Sequence, residues 1–197
     1  MELLCGRYGT KCVVGGEGVK MRIVVINGVG GAGKDLFVAF CASILGTDKV
    51  KNYSTVDYVK AVAAGIGWDG TKDDKNRKFL SDLKKILTEW DDIPYRKTKL
   101  EIEDFQDKMD KLGGKYSENC VMFIHCREPE EIDRLAKDFN AWTLLVSRKS
   151  AEEKNWKNLS DQSVFDYPYD FIVANEGSLE DLRDSAKTLL EELGLEV

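Results

Sequence analysis

From Met21 onward the chain alternates short apolar runs with amphipathic stretches of helical period. "MRIVVIN" (21–27) is apolar almost throughout, which predicts a strand buried on both faces of a parallel sheet. "KDLFVAFCASIL" (34–45) predicts a helix with Leu36, Phe37, Phe40, Cys41 and Ile44 on one side. "VKNYS" (50–54) predicts a second strand, and Ser54 with Asp57 reads as a capping box for a helix that carries Val56, Val59, Ala63 and Ile66. Phe79, Leu80, Leu83, Ile86 and Leu87 keep helical spacing within 67–87, with Arg77 and Lys84 along the edge of that stripe. A further helix is expected over 99–112, with Ile102, Phe105, Met109 and Leu112 inward and Gly113-Gly114 ending it. The next buried strand is "CVMFIHC" (120–126), followed by a helix over 128–139 with Pro129 in its first turn. Strands at 141–147 and 170–175 follow, and Ser178 with Asp181 caps a last helix that turns Leu182, Ala186, Leu189, Leu190 and Leu193 inward.

Strands alternating with helices predict an α/β protein, with a parallel sheet and helices on both faces. Ligands on such sheets bind at the carboxyl ends of the strands. Those ends are the loop after Asn27, the region of Ser54, Arg127, and Arg148. Polar and basic residues therefore fall where the fold would place a site. A single domain over 21–197 accounts for this pattern. Residues 1–20 are Gly-rich and aperiodic. They are expected to be dispensable, either an over-called start ahead of Met21 or a short added strand or flexible arm.

The 197 residues carry a net charge of −6 and are 43% hydrophobic, ordinary for a globular protein. The acidic balance argues against a broad nucleic-acid surface. The longest apolar run falls short of the ~20 residues that span a bilayer, so no membrane partner is expected. Five cysteines without a CxxC pair, and one histidine, His125, make a Cys/His zinc site improbable and fit reduced thiols in a cytoplasmic protein.

The chemistry concentrates at "INGVGGAGKD" (26–35). Gly28, four residues, then Gly33-Lys34 is a phosphate-binding P-loop, and its strand and helix flanks are those the motif requires. Glycines at 28, 30, 31 and 33, with Ala32 between them, let backbone N–H groups point at phosphate oxygens. Lys34 can reach the β- and γ-phosphates of ATP. Asp35 stands where Ser or Thr would ligate Mg²⁺. A carboxylate is also a hard oxygen ligand, but beside a triphosphate it must hold the metal, hold metal-bound water, or pair with a cation. Magnesium ligation by Asp35 is the expectation.

The Gly-Lys-Asp ending of the loop resembles that of phage deoxynucleoside monophosphate kinases and of animal-type phosphomevalonate kinases. "GWDGTKDDKNRKFLSDL" is similar to a segment of phage-borne P-loop kinase-like proteins. "YDFIVANEGSLEDLRDSAKTLL" is similar to the last strand and helix of the superfamily of nucleoside monophosphate kinases and dephospho-coenzyme A kinases. Over roughly 21–193 the resemblance implies a three-layer P-loop NTPase fold with a small helical acceptor region, about 55–115, and a lid, about 148–166. It implies an ATP- and Mg²⁺-dependent phosphotransferase acting on a (deoxy)nucleoside monophosphate. Phosphomevalonate and dephospho-coenzyme A remain alternative acceptors, and a homodimer stays open. Arg127 resembles the arginine that binds phosphoryl oxygens in these kinases, and Asn175 with Glu176 lies where that superfamily flanks the adenine. The lid departs from the pattern, because Arg148 is followed by Lys149, Lys154 and Lys157 in place of further arginines, and lysine lacks the bidentate fork.

In the acceptor region, Arg77 is a candidate clamp for an acceptor phosphate, or part of a solvated face with pairs such as Asp74–Lys78 and Lys78–Asp82. Asp57 follows the second strand and is a candidate acceptor contact besides its capping role. Trp68 and Tyr95 read as packing residues ahead of base-stacking ones. His125 reads as a hydrogen-bonded core histidine ahead of a catalytic one. Two other function classes compete: a nucleotide-binding regulator that transfers nothing, and a polynucleotide end kinase, which the acidic balance disfavours.

Overall fold

The computed structural model describes residues 21–71, 73–155, 163–165 and 167–197. Its centre is β1 (Arg22–Asn27), where Val24, Val25 and Ile26 are fully buried. A strand with apolar residues on both faces needs a layer on each side, and it has them. β1 pairs in parallel with β3 (Val121–His125) and β4 (Trp142–Ser147), β2 (Val50–Ser54) lies outside β3, and β5 (Phe171–Ala174) lies outside β4. The order is β2-β3-β1-β4-β5, parallel throughout. Alternate residues of each strand feed two cores. Val24, Ile26, Phe123, Leu144 and Val146 pack against α1 (Lys34–Leu45) and α8 (Leu179–Glu192). Val25, Met122, Ile124 and Leu145 pack against α4 (Ile93–Leu112) and α6 (Pro129–Phe139). This is the three-layer P-loop NTPase fold.

Beyond β2, the helices α2 (Asp57–Gly65) and α3 (Asp74–Asp91) pack with α4. Among the described residues, the remaining helices are the short α5 (Lys115–Glu118) and α7 (Lys149–Asn155) and a 3-10 turn at Ser163–Phe165. Cys41, Cys120 and Cys126 are buried free thiols. No described helix is long and apolar enough to cross a membrane. The expectations for residues 1–20 and for Lys157 lie outside the described residues, as do 156–162 and 166 of the expected lid.

Several expected details change. The helix expected over 99–112 begins at Ile93, where Pro94 suits a first turn that needs no N–H donor. The helix expected within 67–87 runs instead from Asp74 to Asp91 and buries no residue fully, because it lies in the outer layer. Leu36, Ile66, Ile86 and Leu112 belong to the expected apolar stripes yet are exposed, since each stripe is wider than the surface it meets. Ser54 and Asp57 form half of the expected box. The Asp57 carboxylate accepts from the Ser54 N–H at 2.9 Å, while the helix starts at Asp57 with Val56 as its uncapped N-cap. The box at Ser178 and Asp181 is complete, and all five expected inward residues of the last helix are buried.

Candidate functional site

The P-loop is fixed from beneath by one buried amide. Asn27, at the end of β1, accepts from the Gly28 N–H at 2.8 Å and donates to the Tyr169 hydroxyl at 2.8 Å and the Arg127 carbonyl at 3.3 Å. A buried amide that finds all these partners ties three loops together instead of costing stability. Tyr169 in turn donates to the Val164 carbonyl at 2.9 Å.

Gly28 is required by space as well as by backbone angle, and Gly33 by its backbone angle. Gly28 has φ 145°, and a Cβ there would lie 2.2 Å from the Val146 carbonyl oxygen. Gly33 has φ 102°, and its Cβ would meet the Asn175 amide nitrogen at 2.4 Å. Asn175 donates to the Ala32 carbonyl at 2.9 Å. Its side chain therefore buttresses the loop, a role that the resemblance did not suggest. Gly30 and Gly31 complete the curl ahead of α1.

Lys34 opens α1 and donates to the carbonyls of Gly28 at 2.5 Å and Val29 at 3.0 Å. Its ammonium thus lies across the concave side of the loop. Asp35, in the same first turn, is 89% exposed at its side chain and has an oxygen 3.7 Å from His125 Nε2. His125 ends β3 and donates from Nε2 to the Asn52 side-chain carbonyl at 2.7 Å. Burial pushes the imidazole below its ordinary pKa, although the Asp35 carboxylate works the other way. A neutral imidazole at 3.7 Å is a dipolar neighbour, not an ion pair. The Asp35 carboxylate thus keeps lone pairs for another partner, and as a hard oxygen donor at the mouth of a P-loop it fits Mg²⁺ or water bound to it.

His125 is thus hydrogen-bonded and mostly buried, as expected, but it faces the loop. Asp57 and Lys60 lie close enough to bias its charge, and they pair with each other at 2.9 Å. Lys34, Asp35, Asn52, Asp57 and His125 therefore gather around the ends of β1, β2 and β3. Arg127 is exposed two residues beyond β3, in a loop whose carbonyl Asn27 holds. Arg148 follows β4, where its N–H donates to Glu152 at 3.1 Å. Glu176 accepts from the Lys149 N–H at 2.7 Å and so caps the start of α7.

Arg77 sits on the exposed side of α3 in a 3.5 Å pair with Asp74, and Lys78 pairs with Asp82 at 2.7 Å. Of the two pairs expected for a solvated face, Lys78–Asp82 is present, whereas Asp74 pairs with Arg77 instead of Lys78. Tyr95 is a core residue, under Arg134 at 3.4 Å from its ring centre. Trp68 is partly buried, and its indole N–H lacks a partner among the described residues.

Sequence reasoning missed Asn27, Asn52 and Tyr169 as site residues. An amide ending an otherwise apolar strand was a usable signal for Asn27. The Asn52–His125 contact depends on the β2–β3 register, which no local pattern reveals.

No family model and no curated protein matches this sequence. Solved structures of similar outline include a sugar kinase from Janibacter, with 15% identity over 87% of this chain and 95% of that one, TM-score 0.45. APS kinase from Mycobacterium tuberculosis shares 12% over 87% and 98%, TM-score 0.41. Shikimate kinase from Aquifex aeolicus shares 14% over 88% and 98%, TM-score 0.40.

Proposed function

We propose that this chain is an ATP-dependent phosphotransferase that moves the γ-phosphate to a small phosphorylated acceptor, a nucleoside or deoxynucleoside monophosphate. The observation that carries this reading is the loop itself: Lys34 lies across a concave turn of required glycines at the N-terminus of α1. Phosphoryl transfer needs positioning and charge neutralisation more than covalent help. The loop N–H groups and the helix N-terminus would hold the β-phosphate. Lys34 would exchange the carbonyls of Gly28 and Val29 for phosphoryl oxygens. Mg²⁺, when bound, would offset charge shared by the β- and γ-phosphates, and Asp35 is the residue to hold it, directly or through water. Arg127 and Arg148, from separate strand ends, supply cations for the transferring group. Asp57 and Arg77, from the helical region beside β2, are the candidate acceptor contacts. α7 would form the start of the lid.

The test is ADP formation from Mg·ATP across a panel of nucleoside and deoxynucleoside monophosphates, with Lys34→Ala as control. Acceptor-dependent turnover that vanishes in the control supports the reading and identifies the acceptor class. Slow hydrolysis indifferent to any acceptor would replace it with a nucleotide-dependent regulator. Asp35→Asn is expected to weaken magnesium dependence, and an unchanged magnesium titration would remove Asp35 from the metal.

A further inference from the structure

The loop that carries Arg127 is held from outside the site by one lysine. Lys84 projects from α3 and is only 14% exposed at its side chain. Its ammonium donates to Glu128 at 2.8 Å and to Glu131 at 2.7 Å. Glu128 directly follows Arg127, and Glu131 lies in the first turn of α6. Glu131 also accepts from the Cys126 thiol at 3.2 Å, on the other side of Arg127. The segment 126–131 is therefore gripped at both flanks of the arginine. Burial disfavours the ammonium, but the two carboxylates outweigh it and lift Lys84 above its ordinary pKa, so the charge is kept.

α3 buries no residue fully, and its half-buried side chains pack with α2 and α4. Among the described residues, three ion pairs link α3 and its C-terminal joint to the start and body of α6: Lys84 with Glu128, Lys84 with Glu131, and Arg134 of α6 with Asp92 at 2.5 Å. Asp92 is the left-handed joint between α3 and α4. Cys126, Glu128 and Glu131 could on their own resemble a metal cluster, but the Lys84 ammonium already bonds both carboxylates.

We infer that Lys84 is a positioning residue. It ties the acceptor-side helix α3 to the loop 126–131 and thereby sets where the Arg127 guanidinium stands over the transferring phosphate. This rests on the phosphotransfer reading for what Arg127 does, though not for how its loop is held.

The experiment compares Lys84→Gln, Lys84→Arg, Arg127→Gln and the double variant Lys84→Gln with Arg127→Gln, each in the full chain. A misplacement of about 1 Å can cost up to about 100-fold in rate, so Lys84→Gln is expected to lower kcat about 10- to 100-fold while KM for ATP changes little. Lys84→Arg, which keeps the charge, should recover most of the loss. In the double variant Lys84→Gln should add nothing to the loss caused by Arg127→Gln. Losses that multiply, or a drop that Lys84→Arg shares in full, would overturn the inference. If Lys84→Gln fails to fold because two carboxylates are left uncompensated, Lys84→Met with Glu131→Gln removes the clasp without stranding a buried charge, and the same outcomes are read on it.

Amide exchange on the nucleotide-free chain separates the two readings, since it needs no turnover. The Cys126 and Ile132 N–H groups, bonded to the carbonyls of Ile26 and Glu128, should exchange about tenfold faster or more without Lys84, as local opening becomes easier. Unchanged exchange overturns the positioning role. A wild-type chain that neither turns over nor binds Mg·ATP would end the phosphotransfer reading, while the exchange result would still decide whether Lys84 holds the loop.

Discussion

A single side-chain atom decides the fate of the loop at residue 28. Gly28 sits at φ 145° with the Val146 carbonyl where a Cβ would be. Gly28→Ala is therefore expected to destabilise the chain by about 2–4 kcal/mol, the range for a buried clash with backbone strain, read as a lower urea midpoint. His125 offers a pH test. Burial is the main cause of its lowered pKa. The unfolded chain takes up a proton near the ordinary value of about 6.5, while the native chain resists it. Across the window between the lowered native value and about 6.5 the unfolded state binds more protons, so stability rises with pH there. It is lost as pH falls through that window. His125→Gln should flatten urea midpoints plotted against pH in that range, and an unchanged slope would mean that the imidazole is not shielded as described.

At the scale of elements, α6 and α3 are held in different ways. α6 turns Ile132 and Leu135 into the sheet with no exposure, whereas α3 is seated by partly buried side chains and by charge. Leu135→Ala should cost about 2–5 kcal/mol through lost burial and a residual cavity. Trp90→Ala, on the outer side of α3, should stay within about 0.5 kcal/mol, as surface changes do. Both are read by chemical denaturation. A large cost at Trp90 would show that this face is covered in solution. The helix periods were legible because apolar spacing is local. The exposed ends of the stripes at Leu36, Ile66 and Leu112 were not, because spacing tells which side of a helix faces inward but not where the opposing surface stops.

At the scale of the molecule, the site is an assembly of strand ends brought together by the parallel sheet. Occupying it should therefore stabilise the whole chain. Under mass action a ligand at 100 times its Kd adds about 2.7 kcal/mol, so Mg·ATP should raise the thermal midpoint and Lys34→Ala should abolish the rise. A rise that survives Lys34→Ala would place the nucleotide elsewhere.

The sequence by itself determined the order of strands and helices, the P-loop, and the strand ends where a site could form. These follow from short-range rules: burial on both faces makes an apolar strand, 3.6-residue spacing makes a helix face, and a glycine run before a helix makes an anion cradle. Only the tertiary structure decided which residues share the site. Strand register places His125 beside Asn52 and brings it within 3.7 Å of Asp35. Packing brings Asn27 to Tyr169 across 142 residues and Lys84 to Glu131 across 47. Hydrogen bonds and ion pairs reach only about 3–4 Å, and residues that far apart in the chain come within that range only once the sheet and its helices have formed.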